Sequence, residues 1–72
     1  MDEAKQRVRE ELDELIVKLN KLIVFMSTDK FTSLTDSMRF EMFEQREIMI
    51  RYTDCLIRRL AIWDKTQKEL DE

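Results

Sequence analysis

The stretch Leu12-Asp13-Glu14-Leu15-Ile16-Val17-Lys18-Leu19-Asn20-Lys21-Leu22-Ile23-Val24-Phe25-Met26 decides the fold. Its apolar positions Leu12, Leu15, Leu19, Leu22 and Met26 alternate by three and four, and Val8 extends the ladder one step back. That spacing keeps one stripe on one side of an α-helix, whereas a strand repeats every second residue. A polar interruption follows, and then the rhythm resumes at Met38, Met42, Gln45, Met49, Tyr52, Leu56, Arg59 and Trp63. Two ladders about one break predict an all-α chain: a long two-helix antiparallel hairpin with a short capped elbow.

Working outward gives the boundaries of a single helical domain over 1–72. The first helix is expected at about 3–26, with Asp2 and Glu3 at the positive end of its dipole. The elbow occupies 27–35 and is rich in Ser, Thr and Asp, residues that cap helices and compete with regular backbone pairing. Thr28 suits the cap of a short helical turn from Asp29 to Ser33. Thr35 or Ser33 suits the cap of the second helix, with Asp36 in its first turn. Phe31 and Leu34 are expected to fold inward and pin the corner. The second helix is expected at about 36–63 or longer, followed by a charged tail, 64–72, either helical or disordered. Being the longer helix, it should overhang, leaving Leu60, Ile62 and Trp63 to be covered by another chain.

Seventy-two residues allow only a small core. A further apolar column, Ile16 and Ile23, flanks the first ladder. Phe43, Ile50, Ile57 and Leu60 flank the second, so each apolar face is wider than one partner helix covers. A homo-oligomer is the simplest way to bury the excess. Four Met and four Phe near the elbow, Met26, Met38, Met42, Met49, Phe25, Phe31, Phe40 and Phe43, are expected mostly as core, with a few free to line a pocket.

Composition narrows the chemistry. With no Gly, Pro or His and a single Cys, nothing marks a phosphate-cradling loop, a metal site or a His-based proton relay. No metal and no cofactor are expected, and Ser27, Thr28 and Lys30 stand in no nucleophile motif, so the chain reads as a non-enzyme. Cys55 has no partner in its own chain, which suits a reducing compartment. No apolar run approaches the ~20 residues needed to span a bilayer, and the charged start lacks a secretory core. The expected setting is cytoplasmic. A net charge of −3, with both signs interspersed, argues against duplex nucleic acid as a partner.

Gln45 and Arg59 fall on the ladder of the second helix. Gln45 reads either as a polar residue that sets register or as a ligand contact; Arg59 reads as snorkelling or meeting an acid of a neighbouring chain. Arg46, Arg51, Arg58 and Arg59 invite a phosphate-binding reading. Glu47 with Arg51 and Asp54 with Arg58, like Glu14 with Lys18, instead have the spacing of solvent-face pairs.

The run Leu19-Asn20-Lys21-Leu22-Ile23-Val24-Phe25-Met26-Ser27, then Lys30-Phe31 and Leu34, then Gln45, Met49, Tyr52, Leu56 and Arg58-Arg59-Leu60, resembles a family of small phage proteins, found also in crAss-like phages. Characterised members are anti-CBASS sponges, which sequester cyclic di- and trinucleotide defence signals without cleaving them. The resemblance spans about 8–63. It implies a compact homohexamer with nucleotide pockets between protomers near the elbow, acting in the cytoplasm of an infected bacterial host. It implies Phe25, Ser27, Thr28, Lys30 and Phe31 as ligand-binding residues: rings to stack bases, a cation and hydroxyls for phosphates. In sponge members a first-helix aromatic stacks the base, and here the first aromatic is Phe25. Phe25 and Phe31 also read as elbow core. The rival reading is a helical oligomerisation or adaptor module that binds another protein through Leu60, Ile62 and Trp63.

Overall fold

The computed structural model describes residues 2–71, and the side chains of residues 3–66. Helix α1 runs Asp2–Met26, a single turn α2 runs Asp29–Thr32, and α3 runs Asp36–Asp71. The predicted tail is thus helical through Asp71; its side chains beyond Thr66, and Met1 and Glu72, lie outside the described residues. The molecule is a rod of 57 × 15 × 15 Å. The 36 residues of α3 set that length, since at ~1.5 Å per residue they span about 54 Å.

Helix α1 lies antiparallel along α3. The seam is centred on Leu56, which is fully buried, with Val8 and Leu15 buried against it and Leu12, Met49, Leu60 and Trp63 packed around them. This corrects the expected overhang. Leu60 and Trp63 are covered by the start of α1 within the same chain, and only Ile62 of that trio stays exposed. The paired length extends to Asp64, whose carboxylate bonds the Lys5 ammonium.

The stripe of α3 is also rotated from the predicted ladder. Its inward positions are Met42, Arg46, Met49, Thr53, Leu56, Leu60 and Trp63, while Gln45, Tyr52 and Arg59 are exposed. The physical reason is the width of the apolar face. Two ladders one position apart share Met42, Met49, Leu56 and Trp63, and α1 settles where Leu60 is also enclosed. Arg46 tolerates the inner position because its stem packs while its guanidinium lies over the Phe43 ring, 5.6 Å from the centroid. Its Nε is buried without a hydrogen-bond partner.

Two cross-helix contacts mark the two flanks of the hairpin. Lys5 and Asp64 define one; the Tyr52 hydroxyl donating to the Glu11 carboxylate defines the other. At 3.6 residues per turn, Ile16 and Ile23 of α1 fall on the Lys5 side, and Phe43, Ile50 and Ile57 of α3 on the Asp64 side. These residues repeat at intervals of seven and share one face. Ile16, Ile23, Phe43 and Ile57 are exposed there. Of the Met and Phe expected mostly as core, Phe31 is buried and Phe25, Met26, Met42 and Met49 are half-buried, while Met38 and Phe40, like Phe43, are exposed. The anticipated pairs Glu14–Lys18, Glu47–Arg51 and Asp54–Arg58 are not among the ion pairs of the described residues, which are Lys5–Asp64, Asp36–Arg39 and Arg46–Glu47. Exposed pairs gain too little to hold two long side chains in place.

Leu56→Ala should lower stability by about 2–5 kcal/mol, and Leu56→Met by under about 1.5 kcal/mol. Urea denaturation followed by circular dichroism reads both; equal midpoints would contradict a seam centred there. The Asp64 carboxyl is held below the usual carboxylate range, first by its hydrogen bond from Lys5 and then by the charges of Lys5 and Arg9, with desolvation opposing. A depressed carboxyl stabilises the fold above its unfolded pKa and loses that contribution as pH falls through the lower, folded value. Acid should therefore loosen the open end of the hairpin, and Asp64→Asn should remove this part of the acid dependence of the denaturation midpoint.

Candidate functional site

The elbow turns the chain without a left-handed residue: no described residue has positive φ, and the sequence holds no Gly. Side-chain oxygens do the work instead. The Ser27 hydroxyl donates to Val24 O at 2.7 Å and the Thr28 hydroxyl to Phe25 O at 2.6 Å, satisfying carbonyls at the end of α1. Thr28 is extended, at φ −95° and ψ 161°, and its Oγ1 also accepts the Phe31 N–H, capping α2. Ser33 ends α2, its hydroxyl donating to Lys30 O at 2.8 Å, so Thr35 is the cap of α3, accepting from Met38 N at 3.2 Å. Arg39 locks the corner by donating to Thr32 O at 3.1 Å and pairing with Asp36.

The five residues implied as ligand contacts occupy unequal positions. Phe31 is buried, its ring edge-on to Phe25 (6.3 Å, 81°) and to Phe43 (5.6 Å, 86°). It anchors α2 to both long helices, and Leu34 beside it is half-buried. Phe25 is half-buried, Ser27, Thr28 and Lys30 exposed. The hydroxyl protons of Ser27 and Thr28 are given to main-chain carbonyls, and Thr28 Oγ1 in addition accepts the Phe31 N–H. Lys30 has no ion pair among the described residues.

Phe25 and Thr28 line an open groove of about 430 Å³ together with Asn20, Lys21 and Val24. It is a shallow depression, open to solvent along its length. All five lie at three- and four-residue steps, so one strip of the outer surface of α1 runs into the elbow. Its floor, Val24, is 65% exposed. Its immediate sequence surroundings carry more lysine than acid. Residues 15–35 carry Lys18, Lys21 and Lys30 against Asp29 alone, a local charge of +2 in a chain of −3. Asn20 and Lys21 were legible only as members of the helical run; their i,i+4 and i,i+3 relation to Val24 was the signal.

Other shallow concavities lie elsewhere on the rod. A cleft of about 390 Å³ between Phe31, Asp36, Arg39, Phe40 and Phe43 contains a guanidinium already paired with Asp36. At the far end of α3, Arg59, Ile62, Trp63 and Thr66 surround about 360 Å³. Cys55 is an exposed free thiol. No helix of the described residues is long and apolar enough to cross a membrane.

The chain is a small helical hairpin with an open, largely apolar strip beside its elbow. The chain belongs to the Sequestin family, whose model matches residues 2–62. This fits the resemblance to small phage sponge proteins drawn from the elbow and the second ladder, and the family's name denotes sequestration, a non-catalytic role. No curated protein and no solved structure matches the chain.

Thr28→Ala should cost about 0.5–2 kcal/mol of stability through loss of the cap, and Thr28→Ser much less. Thermal denaturation of both variants tests this; two equal losses would show that the hydroxyl contacts do not hold the elbow.

Proposed function

We propose that this chain sequesters cyclic di- or trinucleotide signals of CBASS immunity, binding them at the elbow groove and releasing them unaltered. The observation that carries the reading is the groove of Asn20, Lys21, Val24, Phe25 and Thr28 on a locally positive segment of a negatively charged chain. A cyclic dinucleotide presents flat bases and two phosphate charges. Phe25 offers a ring for a base, and Lys21 and Lys30 offer point charges for phosphate oxygens. Ser27 and Thr28 support the site mainly by shaping the corner. Phe31 acts from beneath, holding Phe25 edge-on.

Binding without turnover agrees with the family name and with the residue types at hand. The groove holds no carboxylate or imidazole to move a proton, and its hydroxyls donate to the main chain.

Sequestration in this reading is the work of a homo-oligomer, a hexamer by the family resemblance. The face formed by Ile16, Ile23, Phe43, Ile50 and Ile57 is the assembly surface we assign, because its residues repeat at heptad spacing on both helices. Asn20 follows Ile16 and precedes Ile23 by one turn, so on this reading the groove would adjoin a neighbouring protomer. Symmetry then brings equivalent donors to the two halves of the ligand. The expected setting is the cytoplasm of an infected bacterium.

The second reading, an adaptor for another protein, draws on the exposed Ile62 beside Arg59 and Trp63. Calorimetric titration with a panel of cyclic di- and trinucleotides separates the two. Saturable binding, with intact ligand recovered after denaturing the protein, supports sequestration; no heat from a folded oligomer overturns it and leaves the adaptor. Lys21→Ala and Lys30→Ala should each weaken binding about tenfold, as expected for a lost charge-assisted contact. Ile50→Lys with Ile57→Lys should lower the mass measured by light scattering while helix content is kept. An unchanged mass would place assembly elsewhere.

A further inference from the structure

Gln45, Tyr52 and Arg59 lie outward on α3, and Glu41, Ile48, Cys55 and Ile62 interleave with them at three- and four-residue steps. Together they form one strip that begins at Met38 and runs about 36 Å along the helix. It lies on the flank marked by Tyr52 and Glu11, on the side of α3 away from Phe43, Ile50 and Ile57. Every residue of the strip is exposed, and Ile48 and Ile62 are 61% and 64% so. Its polar members have little to hold within the chain. Glu41 and Arg59 take part in no ion pair among the described residues, and the Gln45 amide meets only the sulfur of Met49.

The order of these residues is self-complementary. From the two ends of the strip toward its middle, Met38 corresponds to Ile62, Glu41 to Arg59, Gln45 to Cys55 and Ile48 to Tyr52. Each pair is centred on the level of Ile50, so a single two-fold axis there satisfies all of them together. From this juxtaposition we infer that two copies of the chain pair α3 against α3, antiparallel, along this strip. Glu41 of each copy then meets Arg59 of the other, and Met38 closes on Ile62 at both ends. Both columns keep a seven-residue repeat, which holds the strip in contact as the helices cross with a left-handed twist. The same residues fix the register. Slid by seven residues one way, Ile48 would face Arg59 and Gln45 would face Ile62. Slid the other way, Arg59 and Ile62 would pass the start of α3 at Asp36. Parallel packing would set Glu41 on Glu41 and Arg59 on Arg59, and like charges across an interface are costly. The contact is separate from the Ile50 and Ile57 face, and doubles whatever that face assembles.

The test uses the full chain, without nucleotide, so its outcome is independent of the sequestration reading. In reducing buffer, Glu41→Arg and Arg59→Glu should each bring the mass measured by light scattering to about half that of the parent. The double variant restores the pair in reverse and should recover the parent mass. Circular dichroism should show helix content kept, because both positions are exposed. Register is read by mild oxidation and electrophoresis without reductant. Gln45→Cys sets its new thiol beside Cys55 of the second copy and should give a disulfide-linked dimer. Met38→Cys, about 10 Å out of register with that Cys55, should not link, nor should the parent, whose two Cys55 lie about 15 Å apart along the axis. An unchanged mass in both charge reversals, a loss that the double variant does not recover, or no link from Gln45→Cys would overturn the pairing. A parent dimer linked through Cys55 would mean parallel helices and would overturn it equally.

Discussion

Closure of α1 over Leu56 is the constraint on which the rest of this molecule depends. Leu56 is the one fully enclosed side chain among the described residues, and its neighbours Val8, Leu15, Met49, Leu60 and Trp63 complete a core one side chain deep. A pair of helices can bury only the stripe where they meet. Outside that stripe and the Phe31 corner, much of the apolar surface stays open: Phe43 and Ile57 of the heptad column are exposed and Ile50 is half-buried. The same scarcity of core explains both the apolar outer face and the value of polar pins such as Lys5–Asp64 at the open end.

At the other end the corner is held by hydroxyls and by one aromatic ring. Thr28 serves two helices at once, closing α1 through Phe25 O and opening α2 through Phe31 N. Phe31 then ties α2 to α1 through Phe25 and to α3 through Phe43. This division of labour bears on function. Residues that resemble ligand contacts by type are partly occupied in building the corner, and the groove beside them draws its free groups from the last turns of α1. On the proposed reading, rigid support under Phe25 limits the ordering cost of binding.

Much of the architecture was legible from spacing. The two ladders announced two helices, the Ser/Thr cluster announced the elbow, and Thr28 and Thr35 took the capping positions their chemistry suggests, with Asp36 in the first turn. The candidate site was legible in part. Phe25 and Thr28 do line a groove, but the burial of Phe31 was visible only as one of two options, and Asn20 and Lys21 carried no mark apart from helical phase. Gln45, Tyr52 and Arg59 looked inward by spacing and lie outward in the fold. Arg46, one of the four arginines that invited a phosphate-binding reading, lies against Phe43 with its Nε enclosed.

What the sequence by itself determined is the class of structure: apolar residues at three- and four-residue intervals can bury one side only as helices, and a break rich in capping residues forces a turn. What the tertiary structure alone decided is rotation. An apolar face two columns wide lets the partner helix settle on either column, and 100° of helical phase separates an inner residue from an outer one. The choice falls where α1 encloses both Leu56 and Leu60. That choice buries Leu60 and Trp63 within the chain, turns Gln45 and Arg59 to the surface, and leaves the outer strip from Asn20 to Thr28 open beside the elbow.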